Sequence, residues 1–173
     1  MYEGQYPEKR YQKTLTFLKE VEPPPKKILD LGVKNPFSEI LQQKGYQVEN
    51  TKGEDLDLDY SSVQNTDAEL VTAFEIFEHM LAPFNILREI KANKLVASIP
   101  LRLWFSSAYR NPEDQWDQHY HEFEDWQFDW LLEKAGWKIT KRDKWTHPVK
   151  KIGVRPLFRY VTPRYYIVYA ERK

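Results

Sequence analysis

The chain has 173 residues, no cysteine, and 26 basic against 26 acidic side chains. That length suits a single domain over 1–173 with one core. The missing thiols exclude disulfides and cysteine-ligated metals, and zero net charge removes a whole-chain electrostatic argument for nucleic acid. No apolar run reaches the roughly 18 residues of a membrane span, and Met1-Tyr2-Glu3-Gly4 does not read as a secretory signal, so a cytoplasmic protein is expected.

Residues 7–21 read as a helix. Tyr11, Leu15 and Leu18 share a face, and Pro23-Pro24-Pro25 stops it. Ile28-Leu29-Asp30-Leu31 is a short apolar run ending at Gly32, as buried parallel strands do. Asn35 can cap a helix that Pro36 opens, with Phe37, Ile40 and Leu41 on one face and Gly45 at its end. In open α/β sheets such a strand–turn–helix junction floors a nucleotide-type ligand site.

Tyr46 to Thr51 reads as a second strand. Over 53–59, Asp alternates with Leu at strand period, which predicts a third strand or a solvated acidic edge. So few residues separate it from the second strand that no crossover helix fits between them. Leu70 to Phe74 is a buried strand with Phe74 and Glu75 at its carboxyl end, where ligands bind. Glu78-His79 follows. No second ligand stands at helical spacing, so no metal is expected and His79 reads as a hydrogen-bonded structural residue.

A helix opens at Pro83, buries Ile86, Leu87 and Ile90, and ends near Asn93; Lys94 to Pro100 is the next strand. From Leu101 to Gln118 the periodicity stops, and Trp104, Phe105, Tyr109 and Trp116 alternate with polar residues, the pattern of a functional loop. His119 and His121 are spaced i, i+2. They fit a structural role, a general base on the acceptor side or, least well, metal ligation.

Residues 125–135 form a helix on Phe128, Leu131 and Leu132, and strands follow over 137–142 and 165–171. Charge is uneven here. Residues 110–135 hold eight acids and two bases, net −6, whereas 138–173 hold eleven bases and two acids, net +9. Lys150, Lys151, Arg155, Arg159 and Arg164, with Phe158 and Tyr160, read as a solvated hairpin. Alternatively they attract an anionic acceptor, an acidic membrane face or RNA, although no nucleic-acid motif is present.

Taken together, Asp30-Leu31-Gly32, the run from Asp67 through the Glu75-Ile76-Phe77-Glu78-His79 turn, and the stretch ending Ser98-Ile99-Pro100 resemble the class I S-adenosylmethionine-dependent methyltransferases. The resemblance follows that family's order along most of the chain. It implies a Rossmann-like α/β three-layer sandwich with a mostly parallel sheet, an antiparallel last strand, and a shortened stretch between strands 2 and 4. It also implies that the first helix lies over the cofactor.

Asp30 and Gly32 match the family's glycine turn, while Lys34 and Pro36 stand where two further glycines are usual. Lys52 replaces the acid that meets the ribose; Glu54 stands two residues on. Asp55 or Asp57 would face adenine, and Phe74 and Glu75 would lie beside the cofactor. His119, His121, Tyr109 and Trp116 fall on the acceptor side. The implied activity is methyl transfer from S-adenosylmethionine to a small-molecule, glycan or lipid acceptor, with peripheral membrane contact through the basic C-terminal region as one option. The alternative is a non-catalytic binding or scaffold protein that has lost the cofactor turn. A nicotinamide oxidoreductase is disfavoured because the Gly-x-Gly-x-x-Gly phosphate turn is missing. Oligomeric state is not encoded legibly.

Overall fold

A computed structural model describes residues 8–114, 117–148 and 153–173. In chain order the elements are α1 (Glu8–Val21), β1 (Lys27–Asp30), α2 (Pro36–Gln43), β2 (Gln47–Asn50), α3 (Ser61–Gln64) and β3 (Leu70–Phe74). After a 3-10 turn at Phe77–His79 come α4 (Pro83–Glu89), β4 (Lys94–Pro100), α5 (Asp125–Lys134), β5 (Trp137–Thr146), α6 (Val154–Val161) and β6 (Pro163–Arg172). The strands form one sheet in the order β2-β1-β3-β4-β6-β5. β1 pairs parallel with β2 and β3, and β3 parallel with β4, whereas β6 is antiparallel to both β4 and β5. This is the mixed α/β arrangement the sequence implies, with the last strand reversed.

Strand periodicity divides the interior into two layers. Leu29, Val71, Leu95 and Ala97 join Ile86, Leu87, Phe128 and Leu132 on one face of the sheet. Ile28, Leu70, Val96 and Ile167 join Phe17, Leu18, Phe37 and Leu41 on the other. Helices α4 and α5 therefore cover one side, and α1 and α2 the other. Trp137 is fully buried and donates its indole N–H to the Leu87 carbonyl at 2.9 Å, satisfying the one polar atom that its burial would otherwise strand.

Helix α1 runs over the sheet from the carboxyl ends of the strands, where Arg10 meets Glu75, to their amino ends, where Glu22 meets Lys94. Its C-terminal end is held by Glu22, buried at 3% exposure beside the amino ends of β1 and β4. The Glu22 carboxylate accepts from the Tyr169 hydroxyl at 2.5 Å and lies 2.6 Å from the Lys94 ammonium, while its carbonyl accepts from the Tyr46 hydroxyl at 2.9 Å. Burial opposes the charge of this carboxyl, but Lys94 and Tyr169 outweigh it and hold its pKa below the ordinary value.

Three expectations need correction. The alternating Asp and Leu residues of 53–59 form a turn, not a strand. Asp55 Oδ1 accepts from the Asp57 N–H, and Asp59 Oδ1 accepts from the Ser61 N–H where α3 begins. Aspartate competes well for nearby backbone donors, so this alternation spells successive local caps. The crossover from β2 to β3 then holds only the single turn of α3. The helix opened by Pro83 stops at Glu89, before Asn93. Arg155, Arg159, Phe158 and Tyr160 lie on a helix, α6, not a hairpin; Lys150 and Lys151 fall outside the described residues.

Candidate functional site

The β1–α2 junction is built by internal hydrogen bonds. Asn35 is a full N-cap: its Oδ1 accepts from the N–H groups of Phe37 (2.9 Å) and Ser38 (3.2 Å), and Ser38 Oγ accepts from the Asn35 N–H. Asp30, 2% exposed, accepts from Thr72 Oγ1 at 2.6 Å, Asn50 Nδ2 at 3.1 Å and Ser38 Oγ at 3.3 Å. Burial pushes its carboxyl up to about 6, and those three donors limit the rise. Thr51 Oγ1 accepts from the Gly32 N–H at 2.7 Å. Gly32 has φ +108°, and an added Cβ would stand 3.3 Å from Ile76 Cδ1. The positive φ is what favours glycine here; an added Cβ would also press on the end of the Ile76 side chain, which would have to shift by a few tenths of an ångström.

Above this junction lies a cavity of about 390 Å³ at the carboxyl ends of β1 and β3. Gly32, Asn35 and Phe37 line it on one side, and Glu54, Asp55 and Asp57 on a second. Phe74, Glu75 and His79 close a third, and Arg10, Tyr11 and Thr14 of α1 cover it. Phe37 forms a wall, not a plug: Tyr11 stacks on it at 4.8 Å and Phe74 meets it edge-on at 5.4 Å. Lys34 points away, 61% exposed and 3.5 Å from Glu39. The two residues that replace glycines, Lys34 and Pro36, do not line the cavity.

The acids of the second side are partly committed to backbone. Glu54 Oε2 accepts from the Lys52 N–H at 2.6 Å. Asp57 accepts from the Leu81 and Ala82 N–H groups at 2.7 and 2.8 Å, tying this turn to the start of α4. Asp55 therefore keeps the most accepting capacity of the three.

The third side concentrates buried charge. Glu75 has φ +58°, a left-handed conformation rare outside glycine, and follows directly on β3. Its carboxylate accepts from Ser98 Oγ at 2.9 Å and lies 3.4 Å from the Arg10 guanidinium. Glu78 is 1% exposed. Burial raises both carboxyls, Glu78 well above the usual range, because the Glu75 charge adds to its desolvation.

His79 and His119 meet edge-to-face at 4.8 Å, and the Tyr109 ring packs against His119 at 4.5 Å. Burial, and then the neighbouring His79, pushes the His119 pKa down. Tyr109 donates its hydroxyl to Asp117 at 2.5 Å. His121 stands apart: its ring stacks on Phe123 at 5.2 Å and its Nε2 lies 3.3 Å from the Leu81 carbonyl; none of Tyr109, His119 and His121 lines the cavity itself, which His79 and Asp117 border on that side.

The residues expected around a cofactor, Asp30, Gly32, Glu54, Asp55, Asp57, Phe74 and Glu75, thus all line one cavity. On the acceptor side His119 and Tyr109 come together and His121 does not join them; Trp116 lies outside the described residues. Sequence reasoning missed Arg10, Glu78 and Asp117. Arg10 carried no signal beyond its place on a helix expected to lie over the site. Glu78 was visible in the turn, but its neighbour His119 is forty-one positions away along the chain.

No protein-family model matches the chain, and no curated protein matches its sequence. Solved structures do match its fold. A S-adenosylmethionine-dependent methyltransferase from Archaeoglobus fulgidus aligns over 94% of this chain and 94% of its own, at 14% identity and TM-score 0.62. A Burkholderia thailandensis 1,6-didemethyltoxoflavin N1-methyltransferase, solved with S-adenosylhomocysteine, aligns over 94% and 78% at 16% identity and TM-score 0.61. The 4+2 cyclase SpnF aligns over 98% and 84% at 12% identity and TM-score 0.65. At these identities the likeness concerns architecture, which the cyclase shares with the two methyltransferases. The strand order, the cavity at the carboxyl ends of β1 and β3 and these neighbours together show that the chain has the fold of the class I S-adenosylmethionine-dependent methyltransferases.

Proposed function

We propose that the protein binds S-adenosylmethionine in the cavity over Gly32 and transfers its methyl group to a small-molecule, glycan or lipid acceptor. The observation that carries this reading is the open floor at Gly32: the cavity stands over this turn, and neither Lys34 nor Pro36, which replace two of the family's glycines, lines it. The cavity volume falls within the range of small-ligand sites. Asn35 and Arg10 are placed to meet an amino-acid moiety, Glu54 to meet ribose hydroxyls, and Asp55 to accept from an adenine amino group. Phe74 and Met80 offer apolar surface between these polar groups.

Bound S-adenosylmethionine supplies an activated methyl group, so the protein need only align the partners and exclude water. Arg10, Tyr11 and Thr14 would roof the site against solvent. With no cation bound, half-buried His119, whose lowered pKa favours the neutral ring, could accept a proton from the acceptor. The exposed apolar residues of α6, Val154, Leu157 and Val161, with Arg155 and Arg159 on the same helix, favour an amphipathic or membrane-borne acceptor over a compact polar one.

Thermal and calorimetric titration with S-adenosylmethionine, S-adenosylhomocysteine and NAD tests the reading. A ligand at one hundred times its dissociation constant should stabilise the fold by roughly 2.7 kcal/mol. Stabilisation by the two adenosyl compounds supports it. No response to either leaves the binding or scaffold alternative, and a response to NAD alone would point to redox chemistry.

A further inference from the structure

We propose that Glu78, His79 and His119 form a binding site for one divalent transition-metal cation, of the zinc or manganese type, at the acceptor end of the cavity. Their ligand atoms already lie within 4.8 Å of one another. Ions of this type hold nitrogen and oxygen ligands at roughly 2.0–2.2 Å, which places two ligands of one ion about 3–4 Å apart. Small side-chain rotations would bring all three into that range.

Two observations besides proximity point to a cation. The first is a mismatch between acceptors. His79 Nδ1 lies 3.0 Å from the Gln118 carbonyl, which can only accept, so the ring proton belongs on Nδ1. In the neutral ring, the form that can ligate a metal, Nε2 then carries the lone pair, and it faces Glu78 Oε1 at 3.7 Å. That separation is too long for a hydrogen bond, but it suits two ligands on a shared ion. The second is an orphan. Glu78 Oε2 is buried and has no hydrogen-bond partner among the described residues. A carboxylate this deep normally has a paired charge or a metal.

The surroundings fit as well. A metal-bound histidine usually donates its other N–H to a carbonyl or carboxylate, as His79 does to Gln118. The Glu78 carbonyl accepts from the N–H groups of Tyr120 (2.7 Å) and His121 (3.2 Å), which fixes the His119 loop against the Glu78 turn. Two imidazoles and one carboxylate favour zinc, manganese or iron over magnesium, which prefers an all-oxygen shell. Glu75, held by Ser98 and Arg10, neighbours the site without being needed as a ligand.

The test is calorimetric titration of the untagged full chain, stripped with a chelator, with zinc chloride and separately with manganese chloride, and no cofactor present. Saturable binding of one equivalent is expected. His119→Ala and Glu78→Gln should each weaken it by about tenfold or more, while His121→Ala should match the parent. Circular dichroism of each variant checks folding, and the cobalt(II) spectrum of the parent should lose its ligand-field bands in His119→Ala. No saturable binding of either cation, or affinity unchanged in both His119→Ala and Glu78→Gln, would overturn the proposal. Because S-adenosylhomocysteine binding is titrated separately, the cation site and the cofactor reading can fail independently.

Discussion

The two sides of the cavity spend their polar groups in opposite ways. Around β1, Asp30, Asn35, Ser38, Asn50 and Thr51 are paired with one another or with backbone. Around the end of β3, Glu78 keeps a buried oxygen without a partner among the described residues, and Glu75 has backbone in the left-handed region. A polar network satisfied within itself is scaffold: it shapes a surface that a ligand meets mainly through backbone and contour. A region with acceptors to spare awaits something from outside. The chain thus separates the task of holding a shape from that of supplying charge.

The largest expected effect comes from emptying the first network. Asp30→Ala takes the acceptor from the buried Thr72 and Ser38 hydroxyls and from the half-buried Asn50 amide, and should cost about 2–4 kcal/mol in urea denaturation. Asp30→Asn keeps the shape and isolates the charge. The native Asp30 pKa, about 6, lies above its ordinary 3.8, so the folded state holds this proton more tightly than the unfolded state. The stabilisation is complete below pH 3.8 and is lost as pH rises through 6. It amounts to on the order of 3 kcal/mol, and Asp30→Asn should remove that part of the stability–pH curve. The raised carboxyls of Glu75 and Glu78 act in the same direction, so a slope unchanged in the variant would assign it to them instead.

Next in size is Gly32→Ala, which meets both a disfavoured φ and the Ile76 side chain. It should cost about 1–3 kcal/mol and lower S-adenosylhomocysteine affinity, read by calorimetry. Glu78→Gln tests the other side. Its carboxyl is pushed well above the usual range by burial and by Glu75, so the amide replaces a group held toward its neutral form and should leave neutral-pH stability within about 1 kcal/mol of the parent. A loss as large as that of Asp30→Ala would mean the two sides do not differ. The smallest effect belongs to Lys34→Ala: its side chain faces solvent beside Glu39, so stability should shift by less than about 0.5 kcal/mol and cofactor affinity should hold.

The sequence revealed most where periodicity and local caps agree. β1, the Asn35-Pro36 start of α2, β3 and β4 were legible because apolar runs of strand length met strong start and stop residues. The turn at 55–59 was misread because alternation cannot distinguish a pleat from aspartates that cap backbone N–H groups, two residues on for Asp55 and Asp59 and at the start of α4 for Asp57. Helix α6 was hidden by its charge, and no residue on it is buried. Within the site, the residues of one turn were found and the pairing between turns was not. Asp57 reaches Leu81, and His119 reaches His79, across 24 and 40 positions; no local pattern encodes such meetings.

The anchoring of α1 has a mechanical consequence. One end is clasped through Glu22 to Lys94, Tyr169 and Tyr46, while Arg10 and Tyr11 at the opposite end roof the cavity. The helix is therefore a lever with its fulcrum on the far side of the sheet. Fourteen residues make an arm of roughly 21 Å, so a tilt of about ten degrees at the clasp would lift the roof by roughly 4 Å. Admission of anything the size of a nucleoside would need no unfolding, only that pivot, and loosening Glu22 would be felt at a doorway it never touches.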